Sequence, residues 1–208
     1  MLGPSSEGYA ADKMAAPGRS DLRYERHTER LVLVPWNASF LADFTALCSD
    51  RRAMQFITGG RPISPEDARG LSDKSIRLWD EYGIGPWAAL DTSTGAWVGR
   101  IGLNHLDWWP DEHKWEIGFE LSPSYWGRGL ATEGAREGVR AGFEEAGLPR
   151  IISVTHPDHR ASRHVMEKCG LAFQGERSFE DGKVRVVWYA LDRADFERIS
   201  STPALTST

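Results

Sequence analysis

The residues best placed to do chemistry gather between Trp115 and Gly170, and the first of them form a turn, Gly127-Arg128-Gly129. Before it runs Trp115–Leu121, where Ile117, Phe119 and Leu121 alternate with Glu116, Gly118 and Glu120. That period of two predicts a strand with one buried face and two carboxylates on the other. After the turn, apolar residues recur at helical spacing: Ala131, Ala135, Val139, Gly142, Phe143 and Ala146. A strand delivered into a helix through small residues leaves the first helical N–H groups without partners and aims them at one point, which suits an anion.

Three phosphate-binding readings of the turn can be tested. A Walker loop needs a lysine after its last glycine, and Leu130 follows Gly129. A dinucleotide fingerprint needs a third small residue where Thr132 stands, and an acidic residue about 20 positions on, where the chain reads RIISVTH. Both fail. A turn that cradles a pyrophosphate on backbone donors, with Arg128 adding charge at the edge, remains open beside the plain reading of a tight turn.

Other reactive side chains point elsewhere. His156, His159 and His164 lack further Cys or His ligands at zinc spacing, so no metal is expected. Cys48 and Cys169 fall on apolar helical positions, as reduced core residues without a neighbouring base.

The elements around these residues follow from pattern and punctuation. Glu29 to Pro35 reads as a strand and Ser39 to Cys48 as a helix capped by Asn37 or Ser39. Phe56 to Ser64 is a glycine-marked loop, and Pro65 to Trp79 a helix capped by Ser64. Trp87 to Leu90 and Trp97 to Leu103 form a hairpin around Asp91 to Gly95. An aromatic-rich loop, Asn104 to Lys114, leads into the central strand. Arg150 to His156 is a β-branched strand, parallel to Trp115–Leu121 because a helical crossover joins them. A second helix starts at Pro157-Asp158-His159 and ends at Gly170. Leu171 to Glu176 and Val184 to Leu191 close the chain as strands around Asp181-Gly182.

The 208 residues, 40% of them hydrophobic, suit one α/β domain. Residues 1–27 lack periodicity and read as a flexible leader, 28–198 as the domain and 199–208 as a tail. A formal charge of −5 without a basic patch excludes a nucleic-acid backbone binder. No run approaches the roughly 18 apolar residues of a membrane span. Glu7, Asp12 and Lys13 interrupt any export signal, so a cytoplasmic protein is expected.

From Thr28 to about Phe196 the chain resembles the GNAT superfamily of N-acetyltransferases, most of all the branch that acetylates N-terminal amines of ribosomal proteins and includes many small-molecule acetyltransferases. Trp126-Gly127-Arg128-Gly129-Leu130-Ala131-Thr132-Glu133 is similar to that branch's W-G-[KR]-G-x-A-T-E form of the acyl-CoA signature. Pro157 to Ser162, running on to Lys168-Cys169-Gly170-Leu171, is similar to the family's P-x-N-x-x-S helix start and K-x-G-F end. Trp126 stands where the wider family has Gln or Arg, and His159 where it usually has Asn.

The resemblance implies a mixed, mostly antiparallel sheet flanked by helices and splayed between the two parallel strands, with acetyl-CoA in the opening. The pantetheine arm would pair with Phe119, Glu120 and Leu121. The pyrophosphate would sit on Gly127, Arg128, Gly129, Leu130, Ala131 and Thr132, with Trp126, His159 and Ser162 alongside. Transfer to an amine needs a base, because an ammonium with a pKa of roughly 8 to 10 cannot attack a thioester. Glu116 is the first candidate and Glu120 the second; either would otherwise be an exposed strand residue or pair with Arg100. A backbone N–H near Glu120 or Leu121 would take the oxyanion. Ser162 or Tyr189 would protonate the leaving thiolate, unless Ser162 caps its helix and Tyr189 is core. Trp108 and Trp109 are the first candidates for an acceptor wall, with Trp87 and Arg61 beside them, although most of the 9 tryptophans belong in a core. The acceptor is then an amine, on a peptide N-terminus or a small molecule; an acyl-CoA-binding module without turnover is the alternative. The family often dimerises, and Val184 to Leu191 is a candidate edge for a homodimer.

Overall fold

The computed structural model describes residues 24–180 and 182–201. Its eight strands are β1 Arg26–His27, β2 Leu31–Pro35, β3 Pro86–Asp91, β4 Trp97–His105, β5 Trp115–Leu121, β6 Arg150–Thr155, β7 Ala172–Phe179 and β8 Val184–Asp192. They form one sheet in the order β1-β2-β3-β4-β5-β6-β8-β7. Neighbours are antiparallel except β5 and β6. A parallel return needs a crossover, and the helix α3 (Leu130–Glu144) supplies it.

The pleat sorts side chains to two faces. Ile101, Leu103, Ile117 and Ile151 turn toward α3, which lies close because Gly134, Gly138 and Gly142 face them. A Cβ added at Gly138 would come within 2.5 Å of Ile117 Cδ1. The other face carries Glu116, Gly118 and Glu120, paired across β4 with Asn104, Gly102 and Arg100. Over its β4 side lie α1 (Leu41–Ser49) and α2 (Pro65–Tyr82), which meet Arg100 through Phe44 and Ser75. Over its β6–β8–β7 side the loop after β4 inserts Trp109 against Ile152, Val186 and Ala190. Glu116 therefore stands at the seam between two covers.

Several boundaries differ from the sequence reading. Tyr24 is buried and β1 pairs with β2, so the fold already includes residues 24–27 of the expected leader. Residues 1–23 and 202–208 lie outside the described residues, as does Asp181 of the last turn. The domain also includes a helix, α5 (Arg193–Ser201), over part of the expected tail. It docks by stacking Phe196 on Phe143, 4.7 Å between centroids. β7 is longer than expected, and the candidate dimer edge is corrected: β8 is interior, bonded on both sides, while β7 is the edge strand. Among the described residues no helix is long and apolar enough to cross a membrane.

Candidate active site

The parallel ladder between β5 and β6 is one pair long, Glu116 with Ile152, and then stops. Just past it Ser153 Oγ donates to the Ile117 carbonyl at 2.8 Å, and the Val154 N–H donates to Glu116 Oε1 at 3.2 Å. Because the Ile117 carbonyl points toward β6, the alternation of the backbone turns Phe119 and Leu121 the same way. No strand pairs with them on that side. At the far end of this cleft the Trp126 indole N–H donates to the Leu121 carbonyl at 2.8 Å, leaving the ring about half exposed.

The turn after β5 is built from left-handed backbone, with φ of 73° at Gly127 and 78° at Gly129, a region glycine enters without strain. Among the described residues none of the N–H groups from Gly127 to Thr132 has an acceptor, and no side chain caps α3. The turn is held from below. Glu133 accepts from Thr28 Oγ1 at 2.6 Å and from the Arg30 N–H at 2.7 Å, and the Arg30 guanidinium donates to both Glu133 and the Arg128 carbonyl. Burial acts to raise the Glu133 carboxyl, but these donors outweigh it and hold the group below its ordinary value. The Arg128 side chain, about half exposed, leans over Tyr125 and toward Asp91. Thr28 and Arg30 carry no sequence signal of their own, and Glu133 only its place at the end of the W-G-[KR]-G-x-A-T-E form, because their contacts hold the turn from across the fold.

Glu116 is deeply set, though part of its surface still reaches solvent. Burial pushes its carboxyl up to about 8; the Val154 N–H and the positive charges of Arg100 and Lys74 pull it back, and Glu120 adds to the rise. Glu120 has the other fate considered for it: Arg100 grips it with two hydrogen bonds, 2.7 and 3.0 Å, while Arg100 itself is buried against Phe44 and Ser75. Both of its carboxylate oxygens are therefore engaged by the guanidinium, the pairing considered for it as the alternative to the role of base.

The two candidate proton donors also separate. The Tyr189 hydroxyl is buried, accepting from Arg163 Nε at 3.0 Å and donating to Glu167 at 3.1 Å. It joins β8 to the helix α4 (Arg160–Lys168) as a core residue. Ser162 lies in the first turn of α4, 7% exposed; it does not cap the helix, and its hydroxyl has no partner among the described residues. His159, at the N-cap position, stacks on Phe56 at 4.2 Å, which ties the loop between α1 and α2 to the start of α4. Burial lowers the proton affinity of His159.

The acceptor wall needs correction. Trp109 is 1% exposed, with Arg177 stacked on it at 4.5 Å and held by Asp111. Trp87 pairs with Ile101 and is buried on the α3 face, away from Glu116. Trp108 is 52% exposed, edge-on to Phe179. Arg61 borders an open concavity of about 710 Å³ with Thr58, Ile63 and Leu71, and a smaller one of about 150 Å³ lies among Lys74, Tyr82 and His105. Neither is lined by Glu116; the candidate site is marked by the break in the ladder. Burial pushes the thiols of Cys48 and Cys169 up to about 11 and 12, which leaves them inert.

An open strand edge, a row of free amides and an unpartnered hydroxyl suit a ligand with an amide-bearing arm, a pyrophosphate and a thiol end, and comparison with known proteins points the same way. Residues 30–172 match the family model described as an acetyltransferase (GNAT) domain. The FsC-acetyl coenzyme A-N(2)-transacetylase of Aspergillus fumigatus is 31% identical over 202 residues, 86% of this chain and 80% of that protein. The crystal structure of an acetyltransferase from Agrobacterium tumefaciens matches at 26% identity with a TM-score of 0.70, over 84% of this chain and 99% of that one. The RimL ribosomal L7/L12 alpha-N-protein acetyltransferase, solved in complex with coenzyme A, shares the fold at 18% identity and a TM-score of 0.63, over 79% and 95% of the two chains. The chain belongs to the GNAT family and is an N-acetyltransferase whose acetyl donor is acetyl-CoA.

Proposed function

We propose that the protein transfers an acetyl group directly to a primary amine, with Glu116 as the base and Ser162 as the proton donor. The observation that carries this reading is the place of Glu116: a carboxyl with strongly raised proton affinity at the root of the β5–β6 cleft. Acetyl-CoA supplies a thioester, whose carbonyl carbon is open to attack. Glu116 takes a proton from the arriving ammonium, and the free amine then forms the new N–C bond as the C–S bond breaks. One backbone N–H on this edge, that of Phe119 or of Leu121, receives the developing negative charge on the carbonyl oxygen. Ser162 gives the departing sulfur a proton and regains one from the proton that the nitrogen sheds as the amide forms. The amides from Gly127 to Thr132 and the end of α3 hold the pyrophosphate, with Arg128 near its edge. The inert cysteines favour this route over an acyl-enzyme.

The acceptor enters from the face that carries Glu116, between Trp108 on one side and the loop bearing Phe56 and Arg61 on the other. The A. fumigatus relative is named for transfer to a nitrogen, which supports an amine acceptor. The test is thiol release from acetyl-CoA with a panel of small amines and of peptides beginning with Ser or Ala. Release with at least one panel member, matched by an acetylated product, supports the reading; tight coenzyme A binding with no release on any amine overturns it.

A further inference from the structure

In an unbroken parallel ladder the bonds are evenly spaced. With Glu116 paired to Ile152, and the Ile117 carbonyl turned toward β6, the next rung would run from the Val154 N–H to the Ile117 carbonyl. That rung is absent, yet both its halves are satisfied. The N–H goes to the Glu116 carboxylate at 3.2 Å, and the carbonyl takes the Ser153 hydroxyl at 2.8 Å. Ser153 is 1% exposed, and its hydroxyl reaches no other acceptor.

We propose that Ser153 is a positioning residue: by occupying the Ile117 carbonyl it stops the β5–β6 ladder after one pair, and so sets where the cleft begins and leaves the Val154 N–H for Glu116. The inference rests on the reading of this cleft as the acetyl-CoA site. A buried carbonyl and a half-buried N–H cannot go unpaired without cost. Without the hydroxyl, the nearest donor for the Ile117 carbonyl is the Val154 N–H. That amide can serve it only by leaving Glu116, and the ladder then advances one rung into the cleft. The base loses the donor that favours its charged form, while Arg100 from β4, Glu120 from β5 and Lys74 from α2 still face it.

The test compares Ser153→Thr with Ser153→Val, which match in shape and differ in the hydroxyl, with Ser153→Ala as a third variant. Coenzyme A affinity is read by calorimetry, and the acid limb of kcat from a pH profile. The Val and Ala variants should bind coenzyme A about five- to tenfold more weakly, with the acid limb moved to higher pH. The Thr variant should stay within about twofold of wild type on both readouts. Equal behaviour of the Thr and Val variants overturns the inference, because side-chain volume alone would then explain any change. If the Ala variant does not fold, the Thr and Val pair still decides. A wild-type protein that binds no coenzyme A would overturn the site reading itself; one that binds it, with equal Thr and Val variants, overturns only the role of Ser153.

Discussion

Glu116 Oε1 accepts the Val154 N–H at 3.2 Å, so this carboxylate is bonded to the strand across the cleft. The proton balance of the site and the geometry of the sheet therefore meet in one contact. Burial dominates that balance and lifts the carboxyl from an ordinary 4.5 to about 8. The base is active only when ionised, so kcat should rise with pH and level off above about 8. The stability effect has the opposite sign. Between about 4.5 and about 8 the folded protein binds this proton more tightly than the unfolded chain, so stability falls as pH rises, by up to about 1.4 kcal/mol per pH unit. Urea midpoints measured below and above that window should differ less in Glu116→Gln than in wild type.

Ser162→Ala removes a hydroxyl that has no structural partner. Stability and coenzyme A affinity should hold to within about twofold, while kcat falls by about 10- to 100-fold. A thioester with a more acidic thiol needs less help on leaving, so rates with such a donor should recover most of the loss. An undiminished deficit with that donor would remove Ser162 from the proton-donating role.

Arg30→Ala releases both the Arg128 carbonyl and Glu133 from below the glycine turn. The Arg30 side chain is almost half exposed, so the stability cost should be about 1 kcal/mol or less. The amide cradle should nonetheless lose definition. KM for acetyl-CoA is expected to rise by about three- to tenfold with a smaller change in kcat, measured by steady-state kinetics at saturating amine.

Adjacent tryptophans should behave differently. Trp109→Ala empties a buried site and strands Arg177, which should cost about 3–5 kcal/mol in urea unfolding. Trp108→Ala should leave stability within about 1 kcal/mol and raise KM for the acceptor by about three- to tenfold.

Trp108 and Trp109 also show where sequence ceases to inform. Their loop has no periodicity, so nothing in the chain says which ring turns inward; the Asp111–Arg177 bridge decides that, across 66 residues. Local pattern carried the elements themselves. The alternation at Trp115–Leu121 put Glu116 and Glu120 on one face, the glycine turn marked the amide cradle, and the crossover made β5 and β6 parallel. Register was only partly legible. Arg100 could be named as a partner for Glu116 or Glu120, but which of the two it meets, and that Ser153 meets Ile117, depend on which residues lie opposite one another in the folded sheet. The helix α5 was missed for a related reason: its short, mostly polar stretch shows its partner only when Phe196 meets Phe143.

The central claim, that Glu116 supplies the base for direct transfer, is tested most directly by Glu116→Gln assayed for thiol release and coenzyme A binding together. Gln keeps an oxygen to accept the Val154 N–H, so coenzyme A affinity should stay within about twofold of wild type. Release of thiol with the best amine of the panel should fall by about 10²- to 10⁴-fold, and its rise with pH toward about 8 should disappear. Undiminished thiol release from Glu116→Gln, with the same pH profile as wild type, would contradict the account.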